Sequence, residues 1–359
     1  MKKVIFIHLL NNYTGSPKVL RDVILNVVNS GEFNCMLLTS KTDGFLSQID
    51  SNKISKYSLL YKWHDVTIFS LLYFLLAQFQ IFFFILFKTN KNDIIYLNTI
   101  LPFSAYLASR VSHRKIVNHI HEDMNLNKPL YKLIKKVYKR YNQDSIFVSK
   151  YLESVTCNVK KSFVVYNTIF NSYKHTDIDL TKKKNILMIS SLKKFKGVDT
   201  FINLAKSSEK LSFQLVLSST HDEIESFLKS NNFKITDNLK IFSIQKDLST
   251  FYQEALITLV LTKPSQWIET FGLTILESFS YGTPVIAPNF GGPKELINNS
   301  ENGYLLNDVE NISSIKQLIK DFVYRRDDLI KMSFNSLDYY KKFIDDNSYD
   351  KITKYLSRK

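Results

Sequence analysis

Short apolar runs alternate with longer amphipathic or apolar stretches along the chain, and this alternation occurs in two series. A strand buried in a parallel sheet reads as a short continuous apolar run, whereas a covering helix repeats its apolar positions every three to four residues. The pattern therefore predicts an α/β fold with two parallel sheets, each covered by helices on both faces. The predicted strands are 4–10, 35–39, 94–98, 116–121, 146–149 and 163–166 in the first series, and 186–190, 213–217, 239–242, 257–261 and 285–287 in the second.

The length of the chain fits two domains, because 359 residues with 45% hydrophobic content can bury two ordinary cores. Two doubly wound, Rossmann-like domains facing a cleft follow, with ligands at the carboxyl ends of their strands. The first apolar run is interpreted as a strand and not as a signal peptide, because it is short, contains His8 and lacks a small-residue cleavage pattern. The predicted divisions are an N-terminal Rossmann-like domain over 1–166, a polar linker over 167–184, a second Rossmann-like domain over 185–340, and a C-terminal helix in 341–359 for which packing back on the first domain is one option.

One predicted helix, 67–87, carries no charged residue over 21 positions and is long enough to span a membrane. Gln78 and Gln80 lie at its middle, and it falls between two predicted strands, where a helix has to cover the sheet. These features favour a helix that is buried, or that dips partly into a membrane, over a true span.

Charge is unevenly distributed along the chain. The net charge is +15, and residues 1–175 hold 23 Lys and Arg against 10 Asp and Glu, whereas the remainder holds 25 against 23. The predicted helix "LYKLIKKVYKRY" places a basic stripe on one face, and this stripe either binds an anionic membrane or is simply solvated. The residues of this basic stripe are Lys132, Lys135, Lys136, Lys139 and Arg140.

Several classes of site are excluded by composition. The two cysteines, Cys35 and Cys157, provide no disulfide framework and fit a reducing compartment. The seven histidines lack a metal-binding spacing, so no metal site is predicted. No zinc-finger or RNA-binding signature accompanies the basic residues, which argues against a nucleic-acid partner.

The candidate chemistry lies in 268–292, "IETFGLTILESFSYGTPVIAPNFGG". Gly272 breaks the chain before a helical run, so a helix should begin there, and its first amides would suit a phosphate. Glu277 lies about one turn into this largely apolar helix, where a carboxylate faces either solvent or a ligand with vicinal hydroxyls. Glu269 precedes the turn. The alternative is that both glutamates are solvated surface charges.

This segment resembles the E-x7-E signature of retaining glycosyltransferases with the GT-B fold, family 4, also called group 1. The resemblance implies that Glu277 holds the ribose of a nucleotide-sugar and that Glu269 contacts the transferred sugar. It also implies that the amides of Phe271, Gly272 and Leu273 face the donor diphosphate or the sugar. The matched positions are Pro264-Ser265, Glu269-Thr270-Phe271-Gly272-Leu273, Glu277, Gly282-Thr283-Pro284-Val285-Ile286-Ala287, Gly291-Gly292 and Glu295-Leu296-Ile297.

Three further positions match the family's site outside this segment. Gly15 corresponds to the first glycine of a loop that reaches towards the donor and acceptor. His121 corresponds to a cleft histidine at a strand end, with His119 as the second choice. Lys196, before Gly197, corresponds to the lysine that neutralises the donor diphosphate.

The chain also departs from the family pattern at several positions. Ser16 stands where a second glycine is usual, and Ser218-Ser219 stands where a glycine turn is common. Ser190-Ser191 replaces a frequent Gly-Arg pair, so Lys193 or Lys194 becomes the candidate for a second cation.

The resemblance implies a hexosyltransferase-type enzyme that retains anomeric configuration through same-face attack and needs no cofactor or divalent metal. Its donor would be a UDP- or GDP-sugar bound by the C-terminal domain. The acceptor, on the N-terminal side, would be a lipid-linked saccharide in surface polysaccharide synthesis (lipopolysaccharide, O-antigen or capsule), at the inner face of the cytoplasmic membrane. The alternatives are a nucleotide-sugar epimerase on a similar scaffold, and a non-catalytic membrane- or nucleic-acid-binding protein.

Overall fold

A computed structural model describes residues 2–50, 52–62, 66–123, 129–156, 161–169 and 178–358. The chain forms two compact units, residues 1–168 with 347–359 and residues 169–346. Residues 170–177 of the predicted linker lie outside the described part of the chain. Cys157, which precedes the linker, also lies outside it. Cys35 is buried, and burial raises the pKa of its thiol to about 12.

The first unit is built on a seven-stranded parallel sheet in the order β3-β2-β1-β4-β5-β6-β7. Its strands are β1 (Lys2–Ile7), β2 (Phe33–Ser40), β3 (Ser55–Leu59), β4 (Ile94–Asn98), β5 (Lys115–Ile120), β6 (Asp144–Phe147) and β7 (Lys161–Val164). Its first five α-helices are α1 (Gly15–Asn29), α2 (Thr67–Lys88), α3 (Ser104–Ser112), α4 (Pro129–Tyr141) and α5 (Lys150–Val155), and a 3₁₀ turn occupies Phe45–Gln48.

The second unit contains a six-stranded parallel sheet in the order β10-β9-β8-β11-β12-β13. Its strands are β8 (Asn185–Ser190), β9 (Ser212–Leu217), β10 (Leu239–Phe242), β11 (Ala255–Leu259), β12 (Val285–Pro288) and β13 (Gly303–Leu306). Its helices are α6 (Val198–Lys206), α7 (His221–Ser230), α8 (Ser249–Glu254), α9 (Leu273–Ser280), α10 (Pro293–Leu296), α11 (Ile312–Tyr324) and α12 (Arg326–Asp346), with a 3₁₀ turn at Lys194–Lys196.

The predicted fold class, two parallel-sheet Rossmann-like domains, is confirmed. Two edge strands were missed, because neither is a continuous apolar run: β3 has four exposed residues out of five, and β13 begins with glycine. In both sheets the strand order reverses beside the first strand, between β1 and β4 and between β8 and β11. Ligands bind at the carboxyl ends of the strands at such reversals.

The C-terminal segment differs from the single helix placed in 341–359. Helix α12 continues to Asp346, because its buried side chains pack in the second unit beside α9. A separate helix, α13 (Asp350–Ser357), belongs to the first unit. There the Asp350 carboxylate accepts a hydrogen bond from Asn26 Nδ2 at 2.9 Å, and Thr353 Oγ1 donates to Asn26 Oδ1 at 2.7 Å.

Candidate functional site

The turn before α9 is set by Gly272. This residue has φ +106°, a left-handed conformation that glycine adopts without strain, and it forms the N-cap of α9. Phe271, the residue before Gly272, is buried in the core, with 3% of its surface exposed. The helix therefore begins at Leu273, where the sequence predicted it, with its first amides directed towards the turn.

Gly291 and Gly292 support this turn from the next loop. The amide of Gly292 donates to the carbonyl oxygen of Glu269 at 2.8 Å. A Cβ atom on Gly292 would lie 2.3–2.5 Å from backbone atoms of Phe271, and one on Gly291 would lie 2.4 Å from the oxygen of Glu269. Only glycine allows the two loops to approach this closely, so the pair holds residues 269–271 in place.

Replacing Gly292 by alanine should therefore disturb the 269–271 loop and weaken binding of the nucleotide-sugar that the resemblance implies by about tenfold or more, because a backbone shift at a binding site is transmitted to every contact it makes. Gly31→Ala is the matched control: it adds the same methyl group where no atom lies within 4 Å, although φ +69° adds some backbone strain. We expect that control to lose some stability but to keep donor affinity. Equal donor affinity in folded Gly292→Ala and in the parent, measured by calorimetry, would contradict the supporting role.

Glu277 is a buried carboxylate. It is 7% exposed, and its Oε2 accepts a hydrogen bond from the hydroxyl of Tyr252 at 2.7 Å. Tyr252 is itself buried, within α8, and stacks on Tyr281, with ring centroids 5.6 Å apart. The alternative of a solvated surface charge does not fit this environment. A buried carboxylate has more acceptor positions than the Tyr252 hydroxyl occupies, so it can also accept hydrogen bonds from ligand hydroxyls.

Glu269 and Lys196 form an ion pair, although the family resemblance implies that they contact different parts of a donor. Lys196 Nζ lies 2.6 Å from Glu269 Oε2, and Thr262 Oγ1 donates to the same oxygen at 3.3 Å. Burial by itself raises the pKa of Glu269, but the charge of Lys196 and the two hydrogen bonds outweigh it, so the pKa lies below its usual range. The site thus holds an ionised carboxylate against a cation.

Lys196 is positioned by the turn that follows it. Gly197 has φ +76°, and a Cβ atom there would lie 2.3 Å from the carbonyl oxygen of Leu261, so the turn packs directly on the chain after β11. Lys193 and Lys194 are exposed. Lys263 is engaged by Asp199 at 2.8 Å and Glu310 at 2.7 Å. Lys196 is therefore the lysine of this region that contacts a predicted site residue.

In the first unit, His121 lies just past the end of β5 and its Nε2 donates to Oδ1 of Asn98 at 2.8 Å. Burial lowers the pKa of His121 well below its usual value, and the neighbouring His119 and His8 lower it further. His121 is therefore neutral near pH 7, so it can donate or accept a hydrogen bond but carries no charge. The second choice, His119, is fully buried and its Nδ1 contacts the Tyr96 hydroxyl at 2.8 Å, which favours His121 as the residue that meets a ligand.

Asn98 joins the predicted glycine loop to the histidine. Its side-chain Nδ2 donates to Oγ of Ser16 at 2.8 Å, and its backbone carbonyl oxygen accepts from Nδ1 of His8 at 3.0 Å. Gly15 is the first residue of α1, directly before Ser16. The serine that stands in place of the family's second glycine thus gains a partner, and Ser16 and His121 contact the same buried amide side chain.

The residue after His121 is also unusual. Glu122 Oε1 accepts from the amide of Ile100 at 3.1 Å, and burial raises the pKa of this carboxyl to about 7 despite that bond. Thr99, which precedes Ile100, has φ +94°, a conformation that costs energy in a β-branched residue. The strained loop after β4 is therefore tied to the loop that carries His121.

Sequence reasoning missed Tyr252, Thr262 and Asn98. Each lies more than five residues from the predicted site residue it contacts, and none carries a motif that would single it out. Among the described residues, no group of three or more His, Cys, Asp and Glu side chains is arranged to hold a metal ion.

Comparison with known proteins finds similarity to one family over part of the chain. The sequence model "Glycosyl transferases group 1" matches residues 174–336. The chain is 28% identical over 252 residues to an uncharacterized 41.2 kDa protein in the cps region of Klebsiella pneumoniae, covering 61% of this chain and 66% of that protein. The first curated relatives are matched over 54–66% of their own length.

Solved structures share the fold of the whole chain. Anabaena HepE in complex with UDP and glucose superposes with a TM-score of 0.78 at 16% identity, covering 100% of this chain and 99% of that one. The lipopolysaccharide outer core galactosyltransferase WaaB superposes with a TM-score of 0.63 at 18% identity, covering 96% and 98%. The chain therefore has the fold seen in GT-B glycosyltransferases, and its residues 174–336 match the sequence model of the group 1 glycosyltransferases.

Proposed function

We propose that the protein is a retaining, hexosyltransferase-type enzyme that moves a sugar from a nucleotide-sugar to a lipid-linked saccharide during surface polysaccharide synthesis. The observation that carries the donor assignment is the arrangement around Gly272. A buried carboxylate, Glu277, lies one turn inside α9. Glu269, which precedes α9 in the sequence, forms an ion pair with Lys196 and packs against the loop of Gly291 and Gly292. This arrangement offers an acceptor for ribose hydroxyls and a cation for a diphosphate.

The chemistry required of the site is stabilisation of charge. Cleavage of the bond from the anomeric carbon to phosphate leaves negative charge on the departing diphosphate, and fixed donors aimed at it lower the barrier. In this proposal Lys196 and the first amides of α9 bind the diphosphate, Glu269 contacts the sugar, and neutral His121 makes a hydrogen bond in the first unit. The acceptor hydroxyl attacks on the face from which the diphosphate leaves and gives its proton to the departing phosphate oxygen, and no metal takes part.

Two findings support the polysaccharide context. The relative in Klebsiella pneumoniae is encoded in a cps region, and one structural neighbour is a lipopolysaccharide galactosyltransferase. A lipid-linked acceptor would require work at a membrane surface, and α4 supplies a basic stripe for it. We therefore place the enzyme in the cytoplasm, peripheral on the inner face of the cytoplasmic membrane.

The experiment that tests this function is a screen of UDP- and GDP-sugars for thermal stabilisation and for slow hydrolysis, in excess EDTA. We expect one sugar nucleotide to raise the melting temperature, since a ligand that binds only the folded state stabilises it. We also expect release of the nucleoside diphosphate and free sugar without added metal. Formation of an isomeric sugar nucleotide would support the epimerase instead. Activity that appears only with magnesium or manganese would overturn the metal-free mechanism.

A further inference from the structure

Helix α2 has two faces, and both are apolar. The inner face packs in the first unit through Phe74, Ala77, Ile81, Phe84 and Ile85. The opposite side of the helix presents a continuous row of large apolar side chains, with exposed fractions from 41% at Leu75 to 75% at Phe87. We call this row the outer stripe: Ile68, Leu72, Leu75, Phe79, Phe83 and Phe87.

The polar side chains near the middle of α2 are bound to the protein. Gln78 Nε2 donates to the carbonyl of Leu101 at 3.1 Å, and its Oε1 accepts from the amide of Ser104 at 3.1 Å. Gln80 Oε1 accepts from the amide of Leu60 at 2.6 Å. A helix on the surface of a soluble protein normally turns a charged face to water, and a helix that is apolar all round is normally buried or within a membrane. Helix α2 is neither buried nor polar on its outer side.

Basic residues are placed on the same side of the sheet. Right-handed crossovers put α2, α3 and α4 on one face, and α3 contacts both of the other two helices. Helix α4 turns Lys132, Lys136 and Arg140 to the exterior, and the neighbouring Leu133 is 53% exposed. This face of the first unit therefore combines an apolar stripe with cations, as a surface that binds an anionic membrane does.

We propose that α2 lies in the plane of an anionic membrane, with its outer stripe at the boundary between headgroups and acyl chains and the α4 cations on the headgroups. In length and composition α2 could also span a membrane, and it is the one helix among the described residues with that property. A span, however, would remove the inner face from its packing on the unit and would leave Leu60, Leu101 and Ser104 without their glutamine partners. The inference goes beyond the transfer reaction and does not depend on the identity of donor or acceptor.

Tryptophan placed at three points of the outer stripe distinguishes the two orientations. Ile68 and Phe87 are separated by about 28 Å along the helix, and Phe79 lies between them. The single variants are Ile68→Trp, Phe79→Trp and Phe87→Trp. Their fluorescence is measured with lipids brominated near the headgroup or near the chain end, and the fluorescence of the parent, which has two tryptophans, is subtracted. We expect all three to be quenched most by the shallow label, since an in-plane helix is buried only about 5–10 Å. Deepest quenching at Phe79 alone would show a span, and no quenching anywhere would overturn membrane contact.

The contribution of the stripe to affinity is tested by changing Phe79, Phe83 and Phe87 to serine and measuring sedimentation with phosphatidylcholine vesicles that do or do not contain phosphatidylglycerol. Binding to the anionic vesicles should fall about tenfold or more, because less apolar area is buried on the membrane. The matched control changes three exposed apolar residues of the second unit, Ile244, Tyr324 and Phe334, to serine and should bind as the parent does. Changing Lys132, Lys135, Lys136 and Lys139 to glutamate should abolish the preference for anionic vesicles and its salt dependence.

Two further results would overturn the proposal. Equal vesicle binding by the stripe variant and the parent would mean that the stripe is not at the membrane. If the stripe variant instead converts a dimer into a monomer in analytical ultracentrifugation, with vesicle binding unchanged, the stripe contacts a second copy of the chain. Circular dichroism and melting temperature check that each variant is folded, which we expect because the changed side chains are exposed or, at Lys135 and Lys139, partly exposed.

Discussion

Changing Glu277 to alanine is expected to weaken nucleotide-sugar binding by about 100-fold or more. Each hydrogen bond to a charged group contributes about 1.5–3 kcal/mol, and two ribose hydroxyls would lose their acceptor in this variant. The Glu277 side chain is 7% exposed, so water has limited access to replace the carboxylate. Isothermal titration calorimetry with the sugar nucleotide that stabilises the parent measures the loss directly.

Two controls separate ribose binding from structural damage. Tyr252→Phe removes the hydroxyl that donates to Glu277 but keeps the ring that stacks on Tyr281, so donor affinity should change only a few-fold. Glu225→Ala removes a carboxylate that is 69% exposed in α7 and should leave donor affinity unchanged. Parent-like affinity in a folded Glu277→Ala protein would disprove the ribose assignment, and a loss as large in Tyr252→Phe would move the role to the tyrosine.

The start of α9 was predictable from sequence because its signals are local. Gly272 precedes an uninterrupted apolar run, and the left-handed conformation observed there is one that glycine adopts without strain. The two parallel sheets were predictable for a similar reason, since their central strands are short apolar runs. Edge strands such as β3, which is largely exposed, carry no such signal.

The contacts between site residues could not be predicted. Tyr252 and Glu277 are 25 residues apart, and Lys196 and Glu269 are 73 residues apart, so only the packing of β8, β11 and α9 brings them together. The burial of α2 was also open, because a helix that is apolar all round gives no periodic signal for which side faces the protein. Its neighbours in space, α3 and the edge strand β3, decide which side packs.

Changing Lys196 to alanine is expected to lower kcat by about 100- to 1,000-fold, the range found when a preorganised donor to a developing negative charge is removed. The same change takes the cation away from Glu269, with which Lys196 Nζ makes a 2.6 Å contact. Steady-state turnover of the donor and acceptor measures the first effect. Lys193→Ala and Lys194→Ala are the matched controls, because both lysines are exposed on the same turn, and they should retain parent rates.

The pH dependence separates the two roles of Lys196. In the parent, Lys196 and the hydrogen bonds to Glu269 overcome the effect of burial and hold the pKa of this carboxyl below its usual range. Without the lysine, burial acts with little opposition and the pKa should rise, so protonation of Glu269 begins at higher pH. We therefore expect the acidic limb of the kcat/KM profile to move to higher pH in Lys196→Ala, because activity that needs the carboxylate is lost as pH falls through its pKa.

A double-mutant cycle with Glu269→Gln completes the test. If Lys196 acts on the diphosphate and also on Glu269, the loss of turnover in the double variant should be smaller than the product of the losses in the two single variants. The reason is that each single variant already removes the ion pair. The ion pair would have no part in turnover if the loss in the double variant equals the product of the two single losses and the acidic limb of the kcat/KM profile of Lys196→Ala lies at the same pH as in the parent. Parent rates in Lys196→Ala, with slow turnover in Lys193→Ala or Lys194→Ala, would assign the diphosphate cation to the exposed lysines of the 3₁₀ turn instead.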